Sequence, residues 1–167
     1  KWMGITDPKA LMVIVRLLHA LWSLVVVRAG YRIARRLSDD VTAWRAGLFL
    51  ALCCYMPFLA VRNLVEVVCI PFLMLGAYRL IKDESSPTWK DALIAGIWIG
   101  MAINVRFQTI FFAAGPGLAL LLQRRWPQML AYGVGVFIPL AVIQSAIDVF
   151  LWGRPFAEMT QYVMYNL

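Results

Sequence analysis

Leu11-Met-Val-Ile-Val-Arg16-Leu-Leu-His19-Ala-Leu-Trp22-Ser23-Leu-Val-Val-Val27-Arg28-Ala-Gly-Tyr-Arg32-Ile-Ala-Arg35-Arg36 decides the fold. Up to Val27 the stretch is apolar except for Arg16, His19 and Ser23, and four arginines then crowd one short polar break. An apolar run of this kind approaches the ~20 residues that cross a hydrocarbon layer about 30 Å thick. Arginine massed at one end marks the side that stays in the cytoplasm.

The rest of the chain repeats this arrangement. Of its 167 residues, 62% are hydrophobic and 15% charged, with a net charge of +7 and a mean hydropathy of +0.74. A soluble domain holds about 45–50% apolar and about 25% charged residues. Basic residues gather after alternate apolar runs: Arg28 to Arg45, then Arg79, Lys82 and Lys90, then Arg124 and Arg125. A sparser, mixed set occupies the other ends: Arg62, Asn63 and Glu66; Asn104 and Arg106; Asp148, Arg154 and Glu158. Sorting of this sort serves a membrane protein whose polar site lies on the non-cytoplasmic side. The basic balance points to an anionic lipid surface and not to nucleic acid, because no basic stripe with interleaved aromatics lies on a polar background.

The spans read as about Lys9–Val27, Val41–Val61, Val67–Leu80, Ala92–Ile103, Phe107–Leu122 and Gln128–Ile147. Backbone groups in lipid must be satisfied within the segment, so the expected fold is all-α, a polytopic bundle of about six apolar segments in one domain. Asp7-Pro8 starts the first helix. The pair of short spans from Ala92 to Leu122 either crosses twice or forms a re-entrant hairpin. Arg28–Asp40 reads as an amphipathic break, Gly115-Pro116-Gly117 as a helix kink or break, and Asp148–Leu167 as an interfacial, aromatic tail. The chain begins at Lys1 without an initiator methionine, and is expected to be a piece of a longer polytopic protein.

Arg62, Asn63 and Glu66 fall within one helical turn, which would set all three on one face. They form either an ion pair that closes a helix hairpin or an acid and base facing substrate. Arg16, His19 and Ser23 form a stripe on the first helix. Arg16 either snorkels outward or turns inward to hold a phosphate. Asn104 and Arg106 either anchor a helix end or clamp an anionic head group. Asp148 either ends a helix or belongs to the site. Gly96-x-x-x-Gly100 is a helix-packing face. Cys53, Cys54 and Cys69 have neither zinc nor redox spacing, and no metal or cofactor is expected. Gly133-x-Gly135 lacks the strand and third glycine of a dinucleotide site, and no phosphate loop, zinc-protease motif or Ser-His-Asp set occurs.

Four stretches resemble the GT-C glycosyltransferases, and in particular the family 22 mannosyltransferases that extend N-glycans and glycolipid anchors. They are Arg16 to Ser23, Arg62 to Glu66, Arg106-Phe-Gln-Thr109, and Ile147-Asp148 to Arg154, closing in Tyr165-Asn166-Leu167. Trp152 replaces the family's tyrosine and Phe107 its proline. The resemblance implies a multi-pass enzyme of a bacterial inner membrane or the endoplasmic reticulum. It would take a mannose-like sugar from a polyprenyl- or dolichyl-phosphate donor to a glycan or lipid-linked acceptor, outside the cytoplasm. The catalytic base would precede Lys1. Arg16, Arg62, Asn63, Arg106 and Arg154 would bind substrate, with Glu66 and Asp148 in support. The alternative is a transporter or flippase for a lipid-linked or anionic solute, built on broken helices. A scaffold subunit whose polar cluster only pairs helices is a third reading.

Overall fold

The computed structural model describes residues 7–53, 59, 62, 64–81 and 86–166, and every regular element among them is helical. The chain divides into two compact units, Lys1–Met74 and Leu75–Leu167.

In the first unit α1 spans Pro8–Leu37 and α2 spans Asp40–Leu52. The Asp7 carboxylate accepts the Lys9 N–H at 3.0 Å and Pro8 takes the first turn, where its missing N–H costs nothing. The expected break from Arg28 onward is not a break: α1 runs on to Leu37. Arginine, alanine and leucine are all good helix formers, so polarity alone does not stop the helix. The chain turns instead at Ser38-Asp39, where the Asp39 carboxylate accepts the Thr42 N–H at 2.8 Å and starts α2. The two helices form an antiparallel hairpin, with Gly47 against the Tyr31 ring and Gly30 against Leu50. The second expected span, Val41–Val61, is helical to Leu52, and most of its remainder lies outside the described residues.

Helix α3 spans Val65–Leu80 and straddles the boundary between the units. Its first half packs on α1. The Trp22 indole N–H donates to the Val68 carbonyl at 3.0 Å, and its ring lies 4.8 Å from that of Phe72.

The second unit starts with α4, Trp89–Val105. Thr88 and Asp91 cap it reciprocally: the Asp91 N–H donates to Thr88 Oγ1 at 3.2 Å, and the Thr88 N–H to Asp91 Oδ2 at 3.1 Å. A short 3₁₀ turn, Phe107–Thr109, reverses the chain into α5, Ile110–Leu122. Pro116 sits inside α5, so Gly115-Pro116-Gly117, read as a kink or break, does not break the helix. Apolar helices tolerate proline where neighbours re-satisfy the freed carbonyl. Helix α6, Trp126–Pro139, returns parallel to α4 and passes through a π-helical turn, Leu140–Gln144, into α7, Ser145–Trp152. The sixth run is thus helical past Asp148, so of its two readings the helix end is not the one observed. Helix α8, Ala157–Asn166, closes the chain.

The core of this unit is the crossing of α4 and α6. A side chain added at Gly96 would meet the Tyr132 carbonyl, and one added at Gly100 would lie 2.5 Å from the Val136 carbonyl. Gly135 approaches the α4 backbone in the same way. Ala92, Ala95 and Ala102 complete a buried stripe of small residues. Large apolar side chains point the other way, as with Phe111 at 79% and Phe150 at 87% exposure. Small residues inside and large apolar ones outside is the pattern of helices packing in lipid, where close backbone approach replaces the hydrophobic drive. The continuous helix Trp126–Trp152 and α1 are each long and apolar enough to cross a membrane.

Candidate functional site

The polar residues of the second unit meet where α4 ends. Asn104 lies on the last turn of α4 and donates from Nδ2 to the Gly100 carbonyl at 2.9 Å. Its Oδ1 is buried and has no hydrogen-bond donor among the described residues. Two residues on, Arg106 leaves the helix in extended conformation, its N–H still bonded to Ala102 at 2.9 Å. The Thr109 N–H and hydroxyl donate to the Arg106 carbonyl at 3.0 and 2.8 Å and fix the reversal.

From the other side, Pro139 seats against Gly100 and the helix widens into the π turn. Insertions of this kind are frequent at functional sites. Here the turn ends on Gln144, whose Nε2 donates to two carboxylates, Asp148 Oδ1 at 3.2 Å and Glu158 Oε2 at 3.0 Å. Asp148 has no exposed surface, and its Oδ2 accepts the Glu158 N–H at 3.4 Å. That N–H belongs to the first turn of α8, where the helix dipole favours a negative charge. The connection is made by two left-handed residues, Gly153 with φ 72° and Phe156 with φ 54°. They fold α8 back so that Glu158 faces Gln144.

The result is a cavity of about 90 Å³ whose polar lining is Asn104, Gln144, Glu158 and Tyr162. Phe107 and Tyr162 form its aromatic wall, with rings 4.9 Å apart and tilted by 55°. An orphan amide oxygen and a carboxylate offer acceptors, Tyr162 and the Gln144 amide offer polar contacts, and the rings offer an apolar face. Hydroxyl-bearing molecules with one apolar side match such a lining.

The sequence residues are distributed as follows. Asn104 is in the cavity wall, and Arg106, half-exposed, stands between the lining residues Val105 and Phe107. Asp148 is next to the cavity but its bonds run to Gln144 and to the start of α8, so it serves as a cap. Arg154 is exposed in the turn between α7 and α8. The expected shared helical face of Arg62 and Glu66 is not formed: Arg62 lies in a bend, whereas Glu66 opens α3. The helix starts too late to include both, because the bend uses the Arg62 carbonyl to accept the Leu64 N–H at 2.8 Å. Asn63 lies outside the described residues. Arg16 is exposed on α1, and Ser23 of its stripe donates to the Ala20 carbonyl at 2.7 Å. Gln144 escaped the sequence reading; an amide inside an apolar run, one turn before an aspartate, was the available signal.

A family model described as dolichyl-phosphate-mannose-protein mannosyltransferase matches residues 9–147. The chain belongs to this family. Membership makes it a membrane glycosyltransferase of mannosyltransferase type, and gives no support to family 22 specifically. No curated protein and no solved structure matches the chain. The matched stretch contains Asn104, Phe107 and Gln144, while Glu158 and Tyr162 come from beyond it.

Proposed function

We propose that this mannosyltransferase-family chain is one transmembrane domain of a longer, multi-pass GT-C enzyme. It moves a mannose-like sugar from a polyprenyl- or dolichyl-phosphate carrier to a glycan or lipid-linked acceptor on the non-cytoplasmic side. The family match through all six apolar segments carries this reading. The acceptor hydroxyl attacks the anomeric carbon, the bond from that carbon to the carrier phosphate breaks, and the lipid phosphate departs with the electron pair. The hydroxyl proton goes to a general base.

These residues divide the remaining work. The cavity beneath α8 takes sugar hydroxyls on Asn104 and Glu158, with Tyr162 and Phe107 against the apolar face of the ring. Arg106 and Arg154, at the same end of the second unit, face the leaving phosphate. Asp148 holds the wall in place.

The test is transfer from a radiolabelled polyprenyl-phosphate sugar by the full-length enzyme in proteoliposomes. Loss of one charge-assisted contact, at roughly 2–3 kcal/mol, slows transfer about 30- to 150-fold. Arg106→Ala is expected to fall in that range with unchanged thermal stability. Arg106→Lys is expected to recover only part of the rate, since the planar fork of donors is lost. Normal transfer by both variants removes Arg106 from the phosphate site.

A further inference from the structure

A groove of about 470 Å³ runs between α1 and α2, lined by Leu24, Val27, Arg28, Tyr31, Trp44 and Leu48. This is within the range of small-ligand sites. Its wall is apolar except for one cation. Arg28 is exposed, and no hydrogen-bond or ion-pair partner is found for it among the described residues. Arg35, nearer the turn, is by contrast paired with Asp40 at 2.8 Å.

The order of residues along the groove gives it a direction. Trp44, 65% exposed, is nearest the Ser38-Asp39 turn, with Arg45 beside it; Tyr31 and Arg28 follow, and Leu24 and Ala51 lie furthest in. Aromatic rings with a polar edge sit at head-group depth, and basic residues next to a span attract anionic head groups. An exposed guanidinium beside an apolar slot, with no partner among the described residues, complements an anionic group whose tail fills the slot. A free anion would leave the slot beyond Arg28 unfilled.

We infer that this groove binds one anionic phospholipid of the bilayer, with its phosphate on Arg28 between Tyr31 and Trp44 and an acyl chain along Leu24 and Leu48. The site is independent of the sugar-transfer reading, since it needs no residue assigned to that chemistry.

The experiment uses the full chain in phosphatidylcholine vesicles containing either brominated phosphatidylglycerol or brominated phosphatidylcholine. The Trp44 signal is the fluorescence of the wild type minus that of Trp44→Phe. One well-placed arginine is worth about a fivefold local enrichment of the anionic lipid, read as excess quenching of Trp44. Arg28→Gln is expected to abolish the excess and Arg28→Lys to keep most of it, which separates loss of charge from loss of fold. Ala51→Phe, which fills the inner end of the groove and leaves Arg28 in place, is expected to abolish it too. Equal quenching by the two lipids, or an excess that survives Arg28→Gln or Ala51→Phe, overturns the proposal. So does one-to-one displacement of phosphatidylglycerol by a polyprenyl phosphate, which would make the groove a carrier site. Disulfide-linked dimers through Ala51→Cys would assign it to a second copy, and overturn it equally.

Discussion

A carboxylate without exposed surface survives only on its hydrogen bonds, and Asp148 has two: the Gln144 amide and the Glu158 N–H. Both donors are themselves held in place, one by the π turn and one by the fold-back at Gly153 and Phe156. Asp148→Ala leaves the Glu158 N–H without its acceptor and the Gln144 amide with Glu158 alone, and an unsatisfied group at a part-buried site costs roughly 1–3 kcal/mol. The expected result is a clear fall in melting temperature of the detergent-solubilised protein, smaller in Asp148→Asn, whose amide oxygen still accepts. An unchanged melting temperature in Asp148→Ala would mean that α8 does not depend on this cap. Asn104, Arg106 and Asp148 could be picked out from sequence because each interrupts an apolar run next to its end. Gln144 carried the same kind of signal, an amide in an apolar run one turn before Asp148, but its reach to two carboxylates was not legible, since one of them lies beyond a turn set by two left-handed residues. Arg62 and Glu66 misled for the opposite reason: their spacing fits a helix that has not yet begun at Arg62.

At the level of elements, the α4–α6 crossing decides which glycines matter. Gly133 and Gly135 are two residues apart on α6, yet a side chain at Gly135 would run into the α4 backbone while one at Gly133 meets nothing. Gly135→Ala is therefore expected to destabilise the protein by about 1–3 kcal/mol, the usual range for overpacking. Gly133→Ala should stabilise it by about 0.5–1 kcal/mol, the helix-propensity difference between the two residues. Opposite shifts in thermal unfolding check the crossing directly, and equal shifts would refute it. A second test lies at the end of α5, where the Arg125 N–H bonds the Leu120 carbonyl and the Arg124 N–H that of Leu121. This closure puts Arg124 at φ 56°, which glycine adopts freely. Arg124→Gly is expected to raise stability by roughly 1 kcal/mol. The Gly96-x-x-x-Gly100 face and the apolar runs were readable because small-residue and hydropathy patterns are local. Helix ends were not: the arginines after Val27 prolong α1, and Gly115-Pro116-Gly117 stays helical, because neither polarity nor proline alone ends a helix in an apolar setting.

For the whole molecule the open question is sidedness, and the charge pattern supplies a definite answer to test. In the first unit Arg28, Arg32, Arg35, Arg36 and Arg45 cluster on the last turns of α1 and the start of α2. In the second unit Lys90, Arg124 and Arg125 lie at the start of α4 and between α5 and α6, whereas Arg106 and Arg154 lie at the cavity end. The cavity residues sit at the opposite end of α4 and α6, one helix length away. Since 17 residues of α4 rise about 25 Å at 1.5 Å each, the two ends of this unit are far enough apart to reach opposite faces of a thinned hydrocarbon layer. The positive-inside rule predicts that the cavity opens outward. Single cysteines replacing Ser38 and Gln123, in a background without Cys53, Cys54 and Cys69, should resist an impermeant thiol reagent in intact cells. A cysteine replacing Arg154 should react. Labelling of Ser38→Cys and Gln123→Cys with protection of Arg154→Cys would place the cavity in the cytoplasm. A sugar carried on a lipid phosphate across the membrane would then be out of its reach, and the proposed transfer would fail with it.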